Sequence, residues 1–179
     1  VSFGDGELIF KERQRPFGIY IIQEGKVKIS KHGYEGREYI VRFARNGNII
    51  GYRSFFVGEP YSCSATAISE ALLCFVPGNT ILDLIRRNPG LALQFMKHLA
   101  QDVKHAEEKA ISIAHKPVRE RVAESIIALK DVYGFEQDNN IIDVSLKRDE
   151  IAGIAGTSRE TVTRILSELN EEKIVLLEG

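Results

Sequence analysis

Arg159, Glu160 and Arg164 are the residues whose types and spacing suit reading the edge of a DNA base pair. An arginine guanidinium forks two N–H donors onto O6 and N7 of guanine, and a glutamate carboxylate accepts from N4 of cytosine. Thr157, Ser158, Thr161 and Lys147 lie around the three and offer hydroxyls and an ammonium of the kind that contact phosphate oxygens. A plainer reading stands beside this one: an amphipathic surface helix on which Glu160 and Arg164, four residues apart, simply pair with each other.

Base-reading side chains need a rigid mount. Ile151, Ile154, Val162, Ile165, Leu166 and Leu169 recur at helical spacing, in two runs broken at Ala155-Gly156-Thr157. Gly156 suits the left-handed end of the first helix, and Thr157 or Ser158 suits the N-cap of the second. Ala152 and Gly153 keep the first helix slim enough for the second to cross it closely. A short helix, a glycine turn and a second helix that presents its N-terminal residues make a helix-turn-helix. Upstream of it, residues 118–132 form an amphipathic helix using Val122, Ile126, Ile127 and Leu129, started by Pro117 at a His115-Lys116-Pro117 hinge. Residues 133–140 read as a polar loop and 141–144 as a short strand. Residues 173–177 read as the first strand of a β-wing, with a turn at Glu178-Gly179 and no partner strand in the sequence, so the chain reads as truncated.

Before the hinge comes a long helix from Pro89 or Gly90 to about Ala114. Its residues Ala92, Met96, Leu99, Val103, Ala106, Ala110 and Ile113 step alternately by four and three, the seam of a two-helix interface. Leu91, Phe95 and Ala100 lie off that seam and suit packing on the chain's own N-terminal half; the competing reading has the seam itself pack there. Residues 1–77 carry short β-branched and aromatic runs at 7–11, 18–22, 27–31, 39–43, 64–67 and 72–76, separated by turn signals at Glu24-Gly25, 33–36 and Asn46-Gly47. Many short strands at close spacing predict a small antiparallel barrel or sandwich. Pro77-Gly78-Asn79 then changes the period, and 80–86 reads as a short helix with Ile81, Leu84 and Ile85 on one side.

Thr157 to Arg164, T-S-R-E-T-V-T-R, resembles the recognition helix of the CRP/FNR family of bacterial transcription regulators. The likeness extends through His115 to Leu129, H-K-P-V-R-E-R-V-A-E-S-I-I-A-L, and to the G-x-V-x-I pattern after Glu24, which resembles the family's jelly-roll sensor. The resemblance implies an α+β fold: an antiparallel β-barrel or jelly roll over 1–88, a dimerisation helix over 89–115 and a winged helix-turn-helix over 116–179. It implies that Arg159, Glu160 and Arg164 read a G-T-G-A-like half-site, with Thr163 standing where one subtype has serine. It also implies a cytoplasmic homodimer along the long helix, double-stranded DNA as target and RNA polymerase as partner. Members that bind cyclic nucleotides use Gly-Glu for the ribose and Arg-Ser or Arg-Thr for the phosphate. Here the matching positions are Gly51-Tyr52 and Tyr61-Ser62, with Arg53 out of frame. The missing glutamate and arginine speak against a cyclic nucleotide. The pocket of Gly51, Tyr52, Arg53, Tyr61, Ser62 and Cys63, with Phe55 and Phe56 near, is either filled by its aromatics or suited to an apolar or aromatic effector.

Composition bounds the alternatives. The 179 residues are 44 % hydrophobic and 27 % charged, an ordinary globular mix with no apolar run of membrane-spanning length. No basic-then-apolar leader is seen. The net charge of −1 does not advertise nucleic-acid binding, so the basic residues must be gathered on one face. Two cysteines, Cys63 and Cys74, exclude an iron–sulfur cluster or zinc ribbon and read as small core residues in a reducing compartment; Cys63 beside Ser62 is a thiol that oxidation could reach. A small-barrel metal enzyme needs convergent histidines, and His32, His98, His105 and His115 are not so placed. No catalytic, metal or cofactor residue is assigned. The remaining rival is a protein-interaction module whose helix-turn-helix is vestigial.

Overall fold

Short strands with one face on a shared core build the first half of the molecule. The computed structural model describes residues 1–33, 38–135, 141–142, 144 and 146–177. Strands β1 (Ser2–Phe3), β8 (Ala71–Pro77), β3 (Gly18–Glu24) and β6 (Ile49–Ile50) form one antiparallel sheet, in that order. Strands β2 (Leu8–Phe10), β7 (Ser64–Ala67), β4 (Lys26–His32) and β5 (Glu38–Arg45) form a second. Ile22 pairs with Leu73 in the first sheet and Ile29 with Ala65 in the second. These residues, with Val27, Ala67 and Ile50, bury at 5 % exposure or less in a shared core. Removing each such large aliphatic side chain from water stabilises the fold by roughly 1.5–3 kcal/mol. The architecture is therefore an open two-sheet jelly roll rather than a closed barrel.

Residue 19 points the other way. Ile19, fully buried, packs with Tyr52, Ile81 and Phe95 on the outer face of the first sheet. Those partners come from α1 (Tyr52–Val57), α2 (Gly78–Arg87) and α3 (Pro89–His115). The α1 helix is not foreseen in the sequence; at six residues it is too short to show a period. In α2, Ile81 is buried but Leu84 is 45 % exposed, so the expected apolar side is narrower than its composition suggests. Along α3 the stripe against the sheet is Leu91, Phe95 and Leu99, whereas Ala100 is exposed. Leu99 therefore serves this stripe rather than only the seam. Cys63 is buried, but Cys74 is exposed, because alternation along β8 puts Leu73 inward and its neighbour out.

Two compact units result: Val1–Lys31 with Val41–Ala110, and His32–Ile40 with Ile111–Gly179. The second is helical. It holds the end of α3, α4 (Val118–Tyr133), α5 (Arg148–Ala155) and α6 (Arg159–Glu171). In α4, Val122, Ser125 and Leu129 are buried and Ile126 is half-buried, while Ile127 is 57 % exposed. Ile127 lies five residues past Val122, which turns it about 140° away from the buried stripe. The helix also takes in Tyr133, which the sequence reading gives to a loop; the rest of that loop from 136 to 140 lies outside the described residues. Of the strand expected at 141–144, residue 143 lies outside the described residues, and the others show one bridge, Phe135 to Ile142. The expected wing strand at 173–177 is not a strand. Lys173 takes a left-handed φ of 60°, and the Ile174 N–H bonds the Leu169 carbonyl at 2.9 Å. The Leu177 N–H bonds Asn170 Oδ1, so these donors close the end of α6 instead of entering a ladder. The turns expected at 33–36 and Glu178-Gly179 fall wholly or mostly outside the described residues.

Candidate nucleic-acid interface and sensor cavity

Recognition-helix geometry starts at the turn. Gly156 ends α5 at φ 64°, ψ 48°, a conformation that suits glycine, and its N–H bonds the Ala152 carbonyl. Ser158 is the N-cap of α6: its Oγ accepts from the Thr161 N–H at 3.3 Å and lies 3.1 Å from Thr161 Oγ1. At the start of α5 the Glu150 carboxylate accepts from the Lys147 N–H at 3.0 Å. Both helices are thus fixed at their ends, and Ile151, Ile154, Val162, Ile165, Leu166 and Leu169 are all buried.

With about 100° per residue, Val162, Ile165, Leu166 and Leu169 occupy one arc of α6 and Arg159, Glu160 and Arg164 an arc of about 140° opposite. The arginine side chains are 63 % and 64 % exposed, and Glu160 is exposed. Thr163 and Ser167 fall on the same face but donate to carbonyls one turn back, those of Arg159 and Thr163. The long side chains at 159, 160 and 164 therefore project from a face whose short hydroxyls are already engaged. Arg164 pairs with Glu168, not with Glu160, and Arg159 lies 3.7 Å from Asp149. Exposed pairs of this kind are worth about 0–1 kcal/mol, so neither pair locks its arginine in place. Thr157 and Ser158 are half-buried at the helix start, and Lys147 opens α5.

Two arginines to which the sequence reading gives no role hold this mount. Arg121, on α4, donates to the carbonyls of Ala155 and Gly156 at the turn, and of Ile113 and Lys116 at the end of α3. A fixed cation on the last carbonyls of a helix satisfies acceptors the helix leaves orphaned and opposes its dipole. Arg121→Met leaves four carbonyls without this donor, and the expected result is a loss of about 2–3 kcal/mol in chemical unfolding of the helical unit, with α6 binding weakened indirectly. Arg119 ties α4 to α6 through Glu172 and Glu168. Gly153 is the other surprise. The slimness that suggests a close crossing by α6 instead admits the Glu38 carbonyl, 2.6 Å from where a Cβ would stand. Nothing in helical spacing marks an arginine that caps, or a glycine that faces a distant strand.

Gly51, Tyr52, Arg53, Tyr61, Ser62 and Cys63 do come together, around a cavity of about 30 Å³. That is room for a water or two and far below the roughly 300–1,000 Å³ of a small-molecule pocket. The Tyr61 ring stacks on Phe10 at 3.9 Å and fills the space. Burial pushes the Tyr61 hydroxyl up to about 12. Tyr52 donates to Asp102 on α3 at 2.8 Å, and Arg53 lies 3.8 Å from the same carboxylate. Burial, then that hydrogen bond, raises the Tyr52 hydroxyl further. Arg42, from β5, also lines the cavity; strand alternation could have flagged it as an inward-facing charge. The seam residues of α3 are open in the single chain: Met96 and Val103 are each 57 % exposed and Ile113 41 %, Ala106 and Ala110 are exposed, and Ala92 is half-buried. Among the described residues no group of histidine, cysteine and carboxylate side chains is arranged to hold a metal.

Residues 1–88 match the cyclic nucleotide-binding domain model, and 120–179 match the Crp-like helix-turn-helix domain model. The chain belongs to the CRP/FNR family. The CRP-like cAMP-activated global transcriptional regulator of Mycobacterium tuberculosis H37Rv is 28 % identical over 180 residues, covering 100 % of this chain and 80 % of its own. The cyclic AMP receptor protein of Thermus thermophilus is 29 % identical over 175 residues, covering 98 % and 78 %. A solved CRP/FNR-family transcriptional regulator of Thermus thermophilus superposes with a TM-score of 0.85 at 24 % identity, covering 100 % and 89 %. This member of the CRP/FNR family is a DNA-binding transcription regulator with its helix-turn-helix at the C-terminal side and the cyclic-nucleotide-type jelly roll at the other.

Proposed function

We propose that the protein acts in the bacterial cytoplasm as a homodimer, joined along α3, that binds a near-palindromic operator and works with RNA polymerase. The exposed Arg159–Glu160–Arg164 arc, mounted on a buried opposite face, carries this reading. Each recognition helix enters a major groove; Arg159 and Arg164 take guanines and Glu160 the facing cytosine, while Thr157, Ser158, Thr161 and Lys147 address phosphates. Ser158 does so with the hydroxyl that also caps α6. Half-sites lie about 34 Å apart, one turn of DNA. The filled cavity at Tyr61 argues that cyclic nucleotide is not the effector. The state of the jelly roll reaches the DNA-binding helices through α3 and the Lys116-Pro117 hinge. No described helix is long and apolar enough to cross a membrane.

Fluorescence anisotropy with operator duplex across a salt series tests this reading. Specific binding that weakens steeply as salt rises is the expected result, because neutralised phosphates release counterions. Absence of duplex binding even at low salt supports instead an interaction module with an idle helix-turn-helix.

A further inference from the structure

The jelly roll has a second cavity, which shares Phe10 and Tyr61 with the first. It measures about 380 Å³, within the range of small-molecule sites. Five of its eight lining residues are aromatic, and Ile9, Gln14 and Arg15 complete it. Phe75 tilts against Tyr20 at 4.9 Å, Tyr20 stacks on Phe10 at 6.0 Å, and Phe10 stacks on Tyr61 at 3.9 Å. At the rim stand Phe17, 82 % exposed, and Arg15. Among the described residues Arg15 has no ion pair or side-chain hydrogen bond. An uncovered phenyl ring and an unmatched guanidinium thus flank a slot of ring faces.

We propose that this cleft is a ligand site for a planar aromatic monocarboxylate, whose ring slides among the four aromatic side chains while Arg15 takes its carboxylate. Ring faces favour a flat π-system over an aliphatic body of equal size, through offset and edge contacts. One guanidinium matches one carboxylate bidentately. The site is tied to the rest of the unit. The Arg13 N–H donates to the Tyr61 carbonyl and the Tyr61 N–H to the Gln14 carbonyl, each at 2.8 Å, so rim and wall are joined through the backbone. Arg13 holds a left-handed φ of 72° there, an uncommon conformation for a residue with a side chain. The Tyr61 ring also lies 3.2 Å from the position of a Cβ on Gly51, the residue that opens α1. Tyr52 then hydrogen-bonds Asp102 on α3. A ligand that presses on Tyr61 therefore acts on the helix expected to carry the dimer. The site stands on the cleft alone; only its consequence for DNA rests on the proposed regulator function.

The test uses the chain as it stands and 2-naphthoate as probe, followed by calorimetry, with 2-naphthalenemethanol, cyclohexanecarboxylate and cyclic AMP as comparisons. Naphthoate is expected to bind with the other three weaker by at least about tenfold, and Arg15→Gln is expected to lose a similar factor for naphthoate only. Because Arg15 is exposed, that variant keeps its fold, checked by an unchanged melting temperature. Phe17→Ala is expected to weaken naphthoate and naphthalenemethanol together. The proposal is overturned if naphthoate does not bind at millimolar concentration, if Arg15→Gln binds it normally, or if Arg53→Gln weakens it as much as Arg15→Gln, which places it in the smaller cavity. Duplex binding by ligand-free protein is measured separately, so failure of the site and failure of the regulator reading are told apart.

Discussion

Val103→Asp is expected to turn the protein into a monomer and to lower operator affinity by more than about a hundredfold, because a linked pair of half-site contacts becomes two independent weak ones. Val103 sits midway along the 27-residue α3 and is 57 % exposed in the single chain. The sheet-facing stripe of Leu91, Phe95 and Leu99 lies toward the start of the helix; Met96 and Val103 are turned about 80–100° from Phe95, the alanines at 106 and 110 lie further along, and all four are exposed. Covering a valine there is worth roughly 1.5–3 kcal/mol per subunit, and a carboxylate facing its own copy in a low-dielectric seam opposes association more strongly than that. Sedimentation velocity reads the state directly. A dimer that persists with normal affinity places the interface elsewhere. Val103→Ala, which trims the same residue without adding charge, is expected to weaken the dimer while leaving it formed at micromolar concentration.

The second large effect lies on α6. Arg159→Ala or Arg164→Ala is expected to cost about 1–3 kcal/mol per half-site and to relax preference at one base pair, while leaving the melting temperature within error. Neither side chain is part of the core, and each gives up only a surface ion pair, with Asp149 or Glu168. Arg164→Lys separates charge from shape: it keeps attraction to DNA but loses the planar fork, so affinity for random duplex holds while discrimination falls. A uniform loss on all sequences would assign these residues to phosphates instead. Glu160→Gln is expected to act in the same register, at the base pair facing the cytosine contact.

The helix-turn-helix was legible because its physics is local. Gly156 and Ser158 declare the turn, and six apolar residues declare the buried face, without reference to anything distant in the chain. Six of the eight strands of the jelly roll were legible from their β-branched and aromatic runs, while β1 and β6, two residues each, are too short to show a pattern. What escaped depends on tertiary context. Arg121 looks like any surface arginine until four carbonyls from two helix ends converge on it. Gly153 looks like a helix–helix crossing until the Glu38 carbonyl takes its place. The wing strand did not form because β-propensity needs a ladder partner, and the donors after Asn170 find the end of α6 instead. The sequence also shows which cyclic-nucleotide ligands are missing, at Tyr52 and Tyr61, but not that Tyr61 and Phe10 line two cavities.

Selection of bound duplexes from random DNA is the most direct test of the central claim that twin α6 helices read a symmetric site. The account predicts a near-palindrome of two G-T-G-A-like half-sites centred about 10 base pairs apart, with Arg159→Ala losing preference at a single symmetric pair of positions. A recovered site with one half only, or a wild-type preference unchanged in Arg159→Ala and Arg164→Ala, contradicts it.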